Sequence, residues 1–204
     1  MSRFEQLITD TNLDAVQGAL QNQFLVAMPQ LQDPNFISTV TYVWKHNQDG
    51  ALGIIINRPS RMRVSELLAE LHLSAGSTGL HRDLGETRVL AGGPVERHKG
   101  FILHSAGTEW EYTLPITEDI SLTMSKDILE AIAAGDGPRE FLIALGCAGW
   151  EAGQLEQEVS ENIWLTVPAA PDLVFSRDYD NKASAVAGLL GVSLSQLSTL
   201  TGHS

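Results

Sequence analysis

The run from Phe141 to Glu158 constrains this chain more than any other segment. Phe141 to Leu145 is an unbroken apolar stretch that reads as a buried strand, and Gln154-Leu155-Glu156 opens a helical pattern. Between them stand Gly146, Cys147, Ala148, Gly149, Trp150, Glu151, Ala152 and Gly153. The glycines permit backbone turns that other residues resist. A strand passing into a helix is where mixed α and β proteins place ligands. The stretch holds the only cysteine of the chain, yet it spells no catalytic or cofactor motif.

Other segments extend the pattern. Phe24 to Met28 reads as a buried strand stopped by Pro29, and Leu52 to Ile56 as another. Phe36 to Trp44 reads as a strand or a helix-to-strand stretch. Asn47-Gln48-Asp49-Gly50 predicts a turn, so the flanking apolar runs suggest a hairpin. Ser65 to Leu71 predicts a short helix with Leu67, Leu68 and Leu71 on one face. Residues 74–87 read as a Gly-rich loop. Arg88 to Ala91 and Phe101 to His104 read as strands on either side of Gly92-Gly93-Pro94, and Trp110 to Tyr112 as a short edge strand. Ser125 is expected to cap a helix that ends at Gly135 and buries Ile128, Leu129 and Ile132. Asn162 to Val167 reads as a strand, Lys182 to Leu190 as a helix closed by Gly191, and Ser193 with Gln196 as a capping box. Leu13, Val16 and Leu20 form a weak helical pattern near the start. Strands cluster early and helices alternate later, which predicts an α+β fold with a mixed sheet in one domain over residues 1–204.

The charge narrows the function classes. The net charge is −12, with nine Lys/Arg against ten Asp/Glu in residues 1–100 and four against fifteen in residues 101–204. A duplex-DNA binder concentrates positive charge to release counterions, so nucleic-acid binding and anionic-membrane binding are not expected. No apolar run reaches the ~18 residues needed to span a bilayer, and the first residues do not read as a secretory signal. A single cysteine fits a reducing, cytoplasmic setting.

Several motifs occur in a familiar order. Phe24-Leu25-Val26-Ala27-Met28-Pro29, His46-Asn47, Gly53 to Pro59, Gly92-Gly93-Pro94-Val95 and Gly146 to Glu158 together resemble the AlgH/YqgE family of bacterial proteins. The resemblance runs from about residue 20 to Gly202-His203 and leaves residues 1–20 as an N-terminal extension. It implies an α+β fold with a strongly bent, bifurcated sheet that forms a pseudo-barrel with flanking helices. It brings no catalytic residues to carry over, although some members are labelled as transcriptional regulators. Cys147 stands where many members carry an aromatic residue, which argues against a family-wide cysteine mechanism.

Three groups of residues could carry function. Asn57, Arg58, Arg61 and Arg63 lie in one basic loop, and Arg97-His98-Lys99 follows Gly92-Gly93-Pro94. If the two loops converge, Arg58, Arg61 and Arg97 with glycine N–H groups would bind an anion. The competing reading gives the glycines to a tight turn and the arginines to pairing with acidic residues. Cys147 before a helix N-terminus could be an activated thiol with His104 as its base, or a buried small residue. Glu151, Gln154 and Glu158 form a polar stripe beside Ala152, Leu155 and Val159; it could bind a cation or do acid–base work, or be a solvated helix face. Phosphate-loop, dinucleotide, nucleophile-elbow and zinc-spacing motifs are absent from the sequence, so no cofactor or metal is expected.

These residues point to a cytoplasmic, non-enzymatic binding or regulatory protein for an anionic small molecule or a protein partner. Its ligand would meet the two basic loops together with Gly149, Trp150 and Gln154. The alternative is an enzyme or redox sensor built on Cys147, Gln154 and Glu158.

Overall fold

A computed structural model describes residues 18–73 and 84–193. Among them are ten strands and five helices. The strands are β1 (Gln23–Ala27), β2 (Val40–Asn47), β3 (Gly50–Ile55), β4 (Pro59–Arg63), β5 (Arg88–Ala91), β6 (Val95–Ser105), β7 (Thr113–Pro115), β8 (Ile120–Thr123), β9 (Phe141–Glu151) and β10 (Trp164–Pro168). The helices are α1 (Val64–Glu70), α2 (Asp127–Ala134), α3 (Gln154–Ser160), α4 (Pro171–Phe175) and α5 (Lys182–Gly188).

The strands join in the order β10-β1-β2-β3-β9-β6-β8-β7, with β5 against β9 and β4 against β5. Only the β5–β9 pair is parallel among the described strands. The fold is a mixed α+β one with a strongly curled, mainly antiparallel half-barrel.

Strand β9 makes the curl. Its first half, Phe141 to Leu145, pairs with β6 and β5, and its second half, Ala148 to Glu151, pairs with β3. Gly146, at φ +77°, bends the strand between the two partners, a conformation open to glycine at little cost. The expected strand-to-helix junction is therefore displaced. The strand runs on through Cys147, Gly149 and Trp150, and α3 starts only after Gly153 at φ +75°. Continuous pairing with β3 satisfies the backbone groups that a loop at 146–151 would leave open.

Local signals account for much of the rest. Asn47 and Gly50 close the β2–β3 hairpin, where the Asn47 side chain accepts the Asp49 N–H at 2.9 Å. Helix α2 buries Ile128, Leu129, Ile132 and Ala133 and stops at Gly135, φ +89°. Its start differs from expectation: Asp127, not Ser125, accepts the Ile128 N–H. Helix α1 buries Val64 and Leu68 and leaves Leu71 exposed. The edge strand near Trp110 begins at Thr113. Residues 36–39 are a turn, and β2 begins at Val40. The helical pattern at Leu13 and Val16, the loop over 74–83 and the helix after Ser193 lie outside the described residues.

Three apolar clusters fill the concave side and the flanks of the sheet, centred on Phe24, Tyr42 and Phe101, on Ile128 and Ile143, and on Trp150 and Trp164. Each fully buried Leu or Ile contributes roughly 1.5–3 kcal/mol relative to leaving it in water. Among the described residues, the cation Lys182 enters this interior. Lys182 opens α5, is 1% exposed, donates Nζ to the Val174 carbonyl at 3.1 Å and lies 5.8 Å over the Tyr179 ring. No helix among the described residues is long and apolar enough to cross a membrane.

Candidate functional site

The two basic loops converge. Arg58 precedes β4, and the Gly93-Pro94 turn enters β6; both line one open cleft of about 370 Å³. The convergence is built by backbone packing. Gly92 donates its N–H to the Leu145 carbonyl at 2.8 Å and accepts the Ile55 N–H at 2.9 Å. A Cβ on Gly92 would meet the Gly146 carbonyl oxygen at 2.2 Å. The Gly92-Gly93-Pro94 crossing thus lies directly on the bend of β9. Beyond it, β6 and β9 slip register between Val95 and Gly100, which throws Arg97 outward as an exposed side chain.

Arg58, Ser60 and Arg97 are the cleft's hydrogen-bonding side chains apart from Asn35, and Ile55, Leu90 and Leu145 form its aliphatic part. No Asp or Glu lines it. The two arginines differ. Arg58 donates Nη1 to the Asn35 carbonyl at 2.6 Å and Nη2 to the Pro34 and Ile37 carbonyls at 3.3 and 3.2 Å. It is held by backbone oxygens, and among the described residues its charge has no ion pair. Arg97 has no hydrogen bond or ion pair among the described residues.

The other nominated residues of this region are structural. Asn57 accepts the Val40 N–H at 2.8 Å and donates to the Ser38 carbonyl at 2.9 Å. Arg61 does not line the cleft; its carbonyl accepts from Arg88 at 2.6 Å. Arg63 pairs with Glu86 at 3.6 Å on the surface. Ser60, Ile55, Leu90 and Leu145 were not nominated from sequence. Aliphatic residues that wall a cleft follow the same pattern as those that fill a core.

Cys147 is fully buried in mid-strand opposite Val95, not at a helix N-terminus. Burial chiefly, and Glu96 secondarily against Lys99, push its thiol up to about 12. His104 pairs with Phe141, so Cys147 stands six residues further along β9, at most about 20 Å at strand spacing, and beyond the bend at Gly146. The two do not meet. His104 is itself committed. Its Nδ1 donates to the Ser105 carbonyl at 3.0 Å, which leaves Nε2 to accept the Thr123 hydroxyl at 2.9 Å. Thr123 in turn accepts from Thr113 at 2.7 Å, and Thr113 accepts the Trp110 N–H at 2.9 Å. Burial holds the imidazole below its ordinary value, against the Ser105 hydrogen bond, and so favours this neutral form.

Gly149, Trp150, Gln154 and Glu158 form a third, separate arrangement, and none of them lines the cleft. Gly149 pairs with Leu52, and Trp150 is 2% exposed. One Glu158 oxygen accepts the indole N–H groups of Trp150 at 2.9 Å and Trp164 at 2.7 Å. The other accepts Gln154 at 2.8 Å, while Gln154 accepts the Glu151 N–H at 2.9 Å. The expected polar stripe does not share one helix face with Glu151, which belongs to β9, and Ala152 is exposed. Glu158 instead ties α3 to β9 and β10.

His46, of the His46-Asn47 motif, is buried and held at both ring nitrogens. It accepts the Leu20 N–H on Nδ1 at 3.2 Å, and Nε2 stands 2.9 Å from Glu156. Among the described residues no group of three or more His, Cys, Asp or Glu could hold a metal ion.

The profile of a family described as AlgH-like matches residues 24–195. The chain belongs to the AlgH-like family. A UPF0301 protein of Hahella chejuensis is 45% identical over 191 residues, which span 94% of this chain and 100% of that relative. A UPF0301 protein of Methylococcus capsulatus is 46% identical, with 90% and 96% covered. The solution structure of the AlgH protein from Pseudomonas aeruginosa superposes with a TM-score of 0.72 at 45% identity, covering 91% of this chain and 96% of that one. Protein DIP2367 from Corynebacterium diphtheriae shares the fold with a TM-score of 0.67 at 16% identity, covering 91% and 94%. The AlgH-like family therefore accounts for the curled sheet, and the chemistry has to be read from the residues in the cleft.

Proposed function

We propose that this AlgH-like chain is a non-enzymatic binding protein whose cleft takes a small anion. One observation carries the reading: loops distant in sequence bring Arg58 and Arg97 to one cleft with no acidic side chain in its lining. In a chain of net charge −12, an acid-free pocket with two cations is a local reversal of the prevailing field. The occupied cleft would serve a regulatory role in a bacterial cytoplasm, passed on through a protein partner. The overall charge argues against direct DNA contact.

A thermal-shift screen of anions against the full chain tests this. A saturating anion is expected to raise Tm by about 5 °C, and Arg97→Ala to abolish the rise while leaving the unliganded Tm within about 1 °C. Arg58→Ala is expected to lose binding and also about 2 kcal/mol of stability, since three backbone carbonyls lose their donor. No shift with any anion, or shifts indifferent to Arg97, would sink the proposal.

A further inference from the structure

Resting on that reading of the cleft, we infer that its ligand is a monocarboxylate carried on a compact aliphatic body. The polar side offers few donors. Arg58 spends three N–H groups on the Pro34, Asn35 and Ile37 carbonyls, so it contributes mainly a fixed charge. Ser60 accepts the Met62 N–H at 3.2 Å and keeps its own O–H to give. Arg97 is the one guanidinium of the cleft with its whole fork uncommitted among the described residues, and a planar carboxylate matches such a fork with two parallel bonds. A phosphate dianion presents three oxygens and a second charge, and asks for more donors than this. The net charge of −12 also repels a dianion more than a monoanion.

The rest of the lining decides the body. Ile55 and Leu90 are each 1% exposed, so Ala91, Pro94 and Leu145 present the accessible apolar face, and none of them offers a side-chain hydrogen bond. Such a surface rewards methylene groups and leaves a sugar or a second acid unpaired. The cleft of about 370 Å³ is open to solvent, which suits a short acid and lets a longer chain run outward. This carboxylate can belong to a free short-chain acid or to the C-terminal residue of a peptide with an aliphatic side chain.

Calorimetric titration of the full chain with acetate, butanoate, hexanoate, inorganic phosphate and a short peptide ending in leucine, as acid and as amide, tests this. Affinity is expected to rise about fourfold per methylene from acetate to hexanoate. Arg97→Ala is expected to weaken hexanoate about tenfold or more. A peptide acid that binds tighter than hexanoate, with a silent amide, identifies a chain terminus as the source; the reverse order identifies a free acid. Phosphate binding together with carboxylate affinities flat in chain length overturns this inference and leaves the anion reading standing. Failure of every anion overturns both.

Discussion

Gly93 rests on the main chain of Cys147 so closely that a Cβ on Gly93 would stand 2.2 Å from the Cys147 carbonyl carbon and oxygen. This contact lays the Gly92-Gly93-Pro94 crossing on the bend of β9 and so places the rim of the cleft. Gly93 also holds φ +154°, which side chains rarely adopt.

Gly93→Ala is therefore expected to cost at least about 3 kcal/mol, because both strain and collision oppose it. Gly100→Ala, where an added Cβ meets nothing within 4 Å, is expected to stay within about 0.5 kcal/mol. Urea unfolding of both variants measures the difference. Equal costs would show that the crossing is not held by backbone contact.

Glu158 is expected to act as a clamp between α3 and two strands. Glu158→Ala should cost about 1–3 kcal/mol, since two indole N–H groups in a mostly buried cluster lose their acceptor. Trp150 and Trp164 stand 5.9 Å apart, with Phe36 5.5 Å from Trp164, so the emission of the pair should change with the clamp. An unchanged unfolding midpoint and spectrum would free Glu158 for a chemical role.

The Cys147 thiol is expected to be inert in the native chain. A thiol-specific disulfide reagent at pH 8 should label it only after denaturation, because burial disfavours the thiolate. Its folded value of about 12 lies above its ordinary 9.0. The native state therefore holds the proton longer than the unfolded one. The associated stability is complete below pH 9 and is lost as pH climbs toward 12, and a Cys147→Ala variant should lack that component of the alkaline loss. Rapid labelling of folded protein would restore the redox alternative.

Lys182 has the opposite sign. Burial, partly offset by Asp178, lowers its ammonium from 10.5 to about 8. The unfolded chain then binds more protons between those values, so this group's contribution rises as pH rises through the window and is lost as pH falls through about 8. Lys182→Met is expected to raise stability at pH 7 by up to about 3 kcal/mol, less the value of the Nζ bond to Val174, and to approach parity near pH 10.5. Unfolding curves at pH 7 and pH 10.5 check it; a gain that does not depend on pH would assign the effect to packing alone.

Much of the framework was legible in the chain. Apolar runs marked β1, β3, β5, β9 and β10, because burial on a sheet selects unbroken Ile, Val, Leu and Phe. Gly135 marked the end of α2, and Asn47 with Gly50 marked the hairpin. The two basic loops were visible as clusters around Arg58 and Arg97. Other readings failed because the deciding partner lay far away in sequence. Strand β9 continued past Gly146 since β3 was there to pair with it, and this carried Cys147 into the core instead of to a helix end. Glu158 read as a cation or acid–base group or as a solvated face, and its clamp role was hidden because the indoles of Trp150 and Trp164 that claim it belong to two strands. Periodicity and turn residues report which side of an element is buried, a local property that the sequence determined by itself. Which cation finds a carbonyl, as Arg58 does, and which has no partner among the described residues, as Arg97 has none, follows from strand register, and only the tertiary structure decided that.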